Sequence, residues 1–489
     1  MIVIPVAVNL DIRYHIQICR LNNCLRKCEL MKQQVVILGG GFSGLSLAWR
    51  LSSRGINVLI IEADEMLGGL AGTLRKDGYC MDVGPHSFFT EDDNIRNAVL
   101  ELFSNRLPAQ PRQVKFYYEG KYLDYPLTAY NVLVQMGIGS GIRTALSFLK
   151  SRVFSRTRRP TGEQNETVED WAINSFGEHL YRTFFKPYTE QFWKVQCSEL
   201  SSRSIPTHTR MSFFNTLRLM VKKRIGKEDA SLIEREMLPT YYPATGFAEI
   251  AEKIADSARK SGAVIRLSCE AIGIDSLPDN RMRVRYRDKG RQVETEADYV
   301  VSTIPLDRFV KILTPTPPPA VLESATRLDY RALTALGMVT EKQNILNCGY
   351  IYVLDRPYNR ITEMNQFSPS TSPPGENLLM VEIPCLKDSP AWTASKEELF
   401  NMCIGSLSEN GFLGPGDVKR LLLVRAPNAY PIYRKDYAVN LKQVLDFINF
   451  QERIFTLGRT GEFMYMDVDK CMRRAFDFAD NLLIPMLLE

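Results

Sequence analysis

The sequence predicts an α/β chain: a doubly wound, largely parallel sheet with a second, discontinuous α+β unit beside it. Three observations carry this. The apolar run Val35–Leu38 leads directly into glycines at 39, 41 and 44, followed by a helical stretch over 45–51 and a second apolar strand over 56–61 that ends in Glu62. A strand recurs far away at 264–267, a mainly apolar strand of the buried kind at 297–303, and a strand with a Gly-rich turn closes the chain at 454–469. Between them lie a stretch of helical period, 128–230, and a stretch of short strands and Pro-rich turns, 306–444.

The opening unit is the most informative. Gly39 permits a tight turn. Gly41 lets the backbone approach a pyrophosphate, which would sit on the free N–H groups of the helix start that includes Phe42 and Ser43. Gly44 lets helix and strand pack closely. Glu62 stands 18 residues after Gly44, followed by Ala63, where a carboxylate can accept from ribose hydroxyls. Strand, helix, second strand and terminal acid in register make this a Rossmann-type dinucleotide fingerprint. The paired glycines of Gly68-Gly69-Leu70 allow another close backbone approach and imply a long, buried cofactor. Gly84-Pro85-His86 then forms a turn that carries one of only four histidines, ahead of Phe88 and Phe89.

The bulk numbers set limits. A chain of 489 residues suits two or three domains, and 45% hydrophobic content supplies a sizeable core. A net charge of +5 with interspersed signs gives no support to nucleic-acid binding, and the basic cluster from Lys150 to Arg159 reads as a solvated loop. Ten scattered cysteines without a C-x-x-C pair point to reduced thiols in the cytoplasm and to no metal site. No apolar run reaches about 18 residues, so no membrane span is expected. Residues 1–30 read as an extension outside the fold, with Cys19, Cys24 and Cys28 incidental and Met31 a natural start.

Taken in order, 116–127 reads as an aromatic hairpin around a Glu-Gly-Lys turn, and Val132–Leu149 has amphipathic helical spacing, with core packing the first reading of its apolar face and membrane-surface contact a minor one. Tyr188, Phe192 and Trp193 form an aromatic stripe at helical spacing, which is a core pattern as much as a ligand pattern. A loop over 238–247 leads into a helix over 248–261. Asp288-Lys289-Gly290 turns one strand into the next. Arg360 with Glu363 follows a strand over 350–354, where a surface ion pair is one reading. Tyr430 sits in an aromatic turn over 429–433, and Asp467 caps the closing helix.

The fingerprint, Glu62, Gly68-Gly69 and Asp82-x-Gly84-Pro85-His86 resemble FAD-dependent enzymes of the amine oxidase and protoporphyrinogen oxidase-like superfamily. Gly84-Pro85-His86-x-Phe88-x-Thr90 is similar to the branch that contains the UDP-galactopyranose mutases. The resemblance implies FAD and a discontinuous FAD-binding domain over 31–90, 240–305 and 445–485. It leaves 91–239 and 306–444 as the substrate domain. Gly39, Gly41, Phe42, Ser43, Gly44, Glu62, Ala63, Gly69, Leu70, Gly84, Pro85, His86, Ile272, Gly458, Arg459, Asp467 and Val468 are the implied cofactor contacts. Tyr188 and Trp193 would face a uracil, and Arg360, Tyr430, Arg459 and Tyr465 a diphosphate. His86, Arg459 and Tyr465 are the implied catalytic residues.

Flavin would carry the chemistry, with the protein supplying position and electrostatics. The reading placed first is an oxidoreductase that moves a hydride from a small molecule to flavin N5. The second is a mutase-like isomerase in which reduced flavin N5 attacks the anomeric carbon of a UDP-sugar. A non-catalytic FAD-binding protein is a third. Departures from the mutase pattern stand against the second: Phe89 replaces its second histidine, and 204–210 lacks its Arg-Leu-Pro-Val-Arg run, leaving Arg210 as a substitute. The implied partner is a small-molecule substrate, a sugar nucleotide among the candidates, and a homodimer is left open.

Overall fold

The computed structural model describes residues 33–111, 114–118, 120–124, 166–205 and 238–488. The extension over 1–30 with its cysteines, the helix expected over 132–149, the basic cluster near 150–159 and Arg210 lie outside the described residues.

Two sheets organise the chain. The first has eight strands in the order Leu313–Thr314, Cys269–Ser276, Met282–Asp288, Arg291–Ser302, Gln33–Leu38, Val58–Ile61, Val264–Arg266, with Ile454–Thr456 also pairing on Arg291–Ser302. Gln33–Leu38 runs parallel to both its neighbours, with Val36 opposite Leu59 on one side and Val300 on the other. Val58–Ile61 is buried throughout, as a strand covered on both faces must be. The period-2 geometry of a strand explains the layering. Val35 and Ile37 face a cluster with Leu45, Leu51, Ile250, Ile254 and Met472, which brings helices Phe42–Ser52, Ala248–Lys260 and Val468–Phe478 onto one side. Val36 and Leu38 face the other cluster, with Phe309, Val444 and Ile448.

Arg291–Ser302 changes partner along its length. Its first part pairs antiparallel with Met282–Asp288, and its buried end, from Ala297, pairs parallel with Gln33–Leu38. The turn before it has Lys289 at φ 49° and Gly290 at φ 79°, the left-handed pair a tight hairpin demands.

The second sheet runs Val418–Pro431, Tyr330–Thr340, Asn377–Cys385, Arg360–Glu363, Tyr350–Val353, Val114–Tyr118, Lys121–Asp124. The expectation of short strands across 306–444 is corrected here: three of these strands have 11, 9 and 14 residues. The turn expected over 429–433 is also corrected. Tyr430 and Pro431 end the long strand and pair with Arg331 and Tyr330. Proline fits there because the edge end of the strand loses no ladder hydrogen bond. The expected aromatic hairpin is present, with Lys115 opposite Asp124 and Phe116 opposite Leu123.

A helical segment packs against the second sheet. It opens at Val168 on a capping box between Thr167 and Asp170. After Gly177 it continues through a π-helical turn, Tyr181–Phe185, into Lys186–Trp193. No helix among the described residues is long and apolar enough to cross a membrane. The seven described cysteines are buried and unpaired.

Candidate cofactor and substrate site

The fingerprint glycines take distinct roles. Gly39 has φ +105°, and a Cβ there would lie 2.3 Å from Thr303 Oγ1. A Cβ on Gly44 would lie 2.1 Å from the Gly39 carbonyl, so the helix touches the strand end at that point. Gly41 differs: a Cβ would meet nothing nearer than Gly68 O and Gly69 Cα at 4.0 Å. The backbone is thus bare toward open space at the start of helix Phe42–Ser52, whose first turn has no side-chain cap. Uncapped first-turn N–H groups beside a bare glycine fit a pyrophosphate. Gly68-Gly69 backs this cradle, since Gly68 N donates to Gly40 O at 3.0 Å and a Cβ on Gly69 would lie 3.2 Å from Gly41 Cα.

Glu62 ends the second strand, nearly buried. Its carboxylate accepts from Gly40 N and, at 2.8 Å, from Asp64 N. Burial raises its pKa, with the two backbone donors opposing. These backbone donors do not fill its roughly four lone-pair sites, which leaves acceptor capacity for ribose hydroxyls. Ala63 follows on the surface.

The C-terminal block docks onto the fingerprint. Gly458 has φ +85°, and a Cβ on it would sit 2.2 Å from Ser43 Oγ. Thr460 Oγ1 donates to Thr303 O at 2.7 Å and Leu457 N to Ser302 O at 2.9 Å, tying the block to the sheet end. Helix Val468–Phe478 starts next, with Val468 packed on the core. The expected cap by Asp467 is corrected: Asp467 holds the N-cap position without a side-chain hydrogen bond to the helix, and its Oδ1 accepts from Tyr465 OH at 3.2 Å. A second helix start is therefore free of a side-chain cap on the same side of the sheet. Ile272 lies in Cys269–Ser276 where the register shifts between Ala271 and Gly273, the bulged position of that hairpin.

The Gly84-Pro85-His86 turn stands between the two sheets. Gly84 has φ +89°, and a Cβ there would approach Glu382 Oε1 and Arg360 Nη2 at 3.3 and 3.5 Å. His86 Nδ1 lies 2.8 Å from Gly84 O, so it carries the proton and donates, leaving Nε2 an acceptor. Burial, then Arg360 and Arg459, push its pKa down to about 3. The turn is anchored by Asp82, which is fully buried. Its carboxylate accepts from Thr73 Oγ1 at 2.6 Å, Tyr242 OH at 2.8 Å and Phe247 N at 3.0 Å. Burial nevertheless raises Asp82 to about 6.

Beyond the turn the second sheet and the C-terminal block together present cations interleaved with rings. Arg360 and Glu382 are cross-strand partners and make a bidentate pair at 2.8 and 2.6 Å, with side chains 11% and 1% exposed. The surface-pair reading of Arg360 is thereby corrected: the pair is buried, and the acid is Glu382. Glu363 instead accepts from Ile345 N and Leu346 N. Arg459 donates to Met466 O at 3.1 Å and Ala429 O at 2.6 Å, with its guanidinium carbon 4.6 Å from the Tyr430 ring and 4.5 Å from the Tyr465 ring. Tyr430 and Tyr465 stack at 5.8 Å and 12°, and Tyr465 is 39% exposed.

The predicted residues divide in this geometry. His86, Arg360, Tyr430, Arg459 and Tyr465 come together, and Leu70 packs with Val83 and Tyr430 beside them. Trp193 is buried in the helical cluster with Val168, Cys197 and Leu200, its ring 6.3 Å from Tyr430. Tyr188 is partly buried, 6.1 Å from Phe116. Sequence reasoning missed Arg331 and Glu382. The signal was present: Arg331 and Glu382 are lone charges in apolar runs, Tyr330–Thr340 and Asn377–Cys385, both buried end to end. A charge in such a strand needs a partner or a ligand.

Comparison with known proteins accords with this geometry. The family described as flavin containing amine oxidoreductase matches residues 42–422. A probable UDP-galactopyranose mutase of Klebsiella pneumoniae is 24% identical over 92% of this chain and 95% of its own length. Protoporphyrinogen oxidase 1 of Arabidopsis thaliana is 23% identical over 63% of this chain and 59% of its own. Among solved structures, reduced UDP-galactopyranose mutase superposes with a TM-score of 0.74 at 18% identity, covering 94% of this chain and 95% of that one. A protein from Exiguobacterium named as a protoporphyrinogen oxidase gives 0.70 at 18% identity, over 93% of this chain and 100% of that one. The chain belongs to the flavin-containing amine oxidoreductase family, with FAD as its cofactor.

Proposed function

We propose that this flavoenzyme acts on an anionic small molecule of the sugar-nucleotide class, as an isomerase of the UDP-galactopyranose mutase type. The observation that supports it is the charge of the site. Arg331 and Arg360 lie beside one buried carboxylate, Glu382, at the face reached past Gly84-Pro85-His86, and Arg459 joins them across the ring of Tyr430. That arrangement is net cationic and partly dry, which favours a diphosphate. The similarity to a mutase over nearly the whole of both chains adds support.

In this reading each group has a task. Glu382 fixes Arg360 in one orientation before substrate arrives, so little ordering remains to be done on binding. Tyr430 and Tyr465 flank Arg459 and carry phenol groups at the mouth of the site. His86 stays neutral at physiological pH and offers Nε2 as an acceptor. Bound flavin supplies either a hydride acceptor or, when reduced, a nucleophilic nitrogen. The fingerprint helix and helix Val468–Phe478 would hold it.

The oxidoreductase reading is second, and Phe89 in place of the second histidine of the mutase pattern favours it. The test is to incubate dithionite-reduced holoenzyme with UDP-galactopyranose or UDP-galactofuranose and follow interconversion. Interconversion is expected. Its absence, together with dye reduction by an oxidisable donor, would move the assignment to the oxidoreductase.

A further inference from the structure

Arg331 is the least explained charge among the described residues. It is the second residue of strand Tyr330–Thr340 and is 0% exposed. Its guanidinium carbon lies 4.1 Å from the Phe192 ring and 4.1 Å from the Tyr430 ring, which meet at 74° to form a corner around it. Nη1 donates to Phe192 O at 2.9 Å. Nε and Nη2 find no acceptor among the described residues. Among the described residues no carboxylate pairs with it, since the nearby Glu382 is already engaged by Arg360.

As a structural element Arg331 is a poor choice. A buried guanidinium with unmet donors costs stability, and an apolar side chain of similar length would fill the corner without that cost. What Arg331 does supply is a fixed positive charge and a surface for two rings. Tyr430 is the shared member: it contacts Arg331 on one hand and Arg459 on the other, and stacks on Tyr465 at the mouth. Phe192, Arg331, Tyr430, Arg459 and Tyr465 thus alternate ring and cation from the helical segment outward to solvent. A cation held in low dielectric acts on an anion several ångströms away without touching it.

We propose that Arg331 is a positioning and charge-supplying residue of the anion site: from behind Tyr430 it fixes that ring against Arg459 and adds a buried positive charge that selects the more highly charged diphosphates over monophosphates. It does not contact the ligand. The inference deepens the anionic-substrate reading but stands separately from the nucleotide part of it.

The experiment uses holoenzyme with full flavin content, comparing wild type, Arg331→Met and Arg331→Lys by calorimetry and thermal unfolding. The probes are inorganic pyrophosphate, inorganic phosphate and UDP. Wild type is expected to bind pyrophosphate more tightly than phosphate. Arg331→Met is expected to weaken pyrophosphate about tenfold or more and to narrow that preference, as removal of one buried unit charge at several ångströms predicts. Arg331→Lys is expected to restore part of both. Thermal stability of Arg331→Met should be equal to wild type or higher, which a purely structural arginine would not give. Unchanged pyrophosphate affinity in Arg331→Met, or no wild-type binding of pyrophosphate, overturns the inference. Wild-type binding of pyrophosphate but not UDP leaves it standing and removes the nucleotide reading instead.

Discussion

Gly458→Ala tests whether the C-terminal block is seated on the fingerprint helix as described. The added Cβ would stand 2.2 Å from Ser43 Oγ and 2.6 Å from Ser43 Cβ, on a backbone at φ +85°. The left-handed conformation costs an L-residue about 1–2 kcal/mol. Overpacking against Ser43 adds about 1–3 kcal/mol, so the total is about 2–5 kcal/mol. That is a large part of the roughly 5–15 kcal/mol by which a domain is stable. Denaturant unfolding followed by circular dichroism reads it, with flavin content measured by visible absorbance. Ser43→Gly in the Gly458→Ala background removes the steric part and leaves the backbone part, so the two changes should couple by about 1–3 kcal/mol. Gly405→Ala is the control, because that helical glycine has nothing within 4 Å of its Cβ position and should be neutral or slightly stabilising. Wild-type stability in Gly458→Ala, or no coupling to Ser43→Gly, would refute the seating.

Other perturbations have definite signs. Asp82 is raised from 3.8 to about 6, so the folded chain holds a proton there that the unfolded chain releases, and its contribution is present below 3.8 and lost as pH rises through about 6. Asp82→Asn should flatten that part of the stability profile. His86 acts oppositely: with its pKa lowered from 6.5 to about 3, it contributes stability above 6.5 that is lost as pH falls toward 3, and His86→Gln should remove that acid-side loss. For the same reason the activity profile should show no limb near 6.5 from His86; such a limb that vanishes in His86→Gln would contradict its neutral state. Glu382→Leu leaves Arg360 buried and unpaired and should cost about 3–5 kcal/mol, whereas Glu382→Leu with Arg360→Met should recover most of it yet lose anion binding. Equal stability of the single and double variants, measured by denaturant unfolding, would contradict a buried pair.

The parts legible in the sequence are those fixed by local chemistry. Glycine spacing after an apolar run reads out Gly39, Gly41 and Gly44 because turn, ligand approach and helix packing each forbid a side chain at a set interval. The turn at Lys289-Gly290 and the helix after Phe247 are local in the same sense. What stayed hidden depends on cross-strand register. Arg360 meets Glu382, 22 residues away, only because their strands align. Arg331 meets Tyr430 across the same sheet, although the aromatic-proline sequence around Tyr430 read as a turn. Asp467 illustrates another limit: the residue type and position of a cap were correct, yet its carboxylate turns to Tyr465 OH.

A cofactor cradle and a merely packed turn at the fingerprint make opposite demands on position 41. Gly41 separates these, because its backbone at φ −76° and ψ 178° suits any residue and its Cβ position is open in the protein. The deciding measurement is flavin content per chain of purified Gly41→Val, with unfolding of the flavin-free protein alongside. The expected outcome is an apoprotein within about 0.5 kcal/mol of wild-type apoprotein, as for a surface change, and loss of bound flavin. A Gly41→Val chain that retains stoichiometric flavin would contradict it.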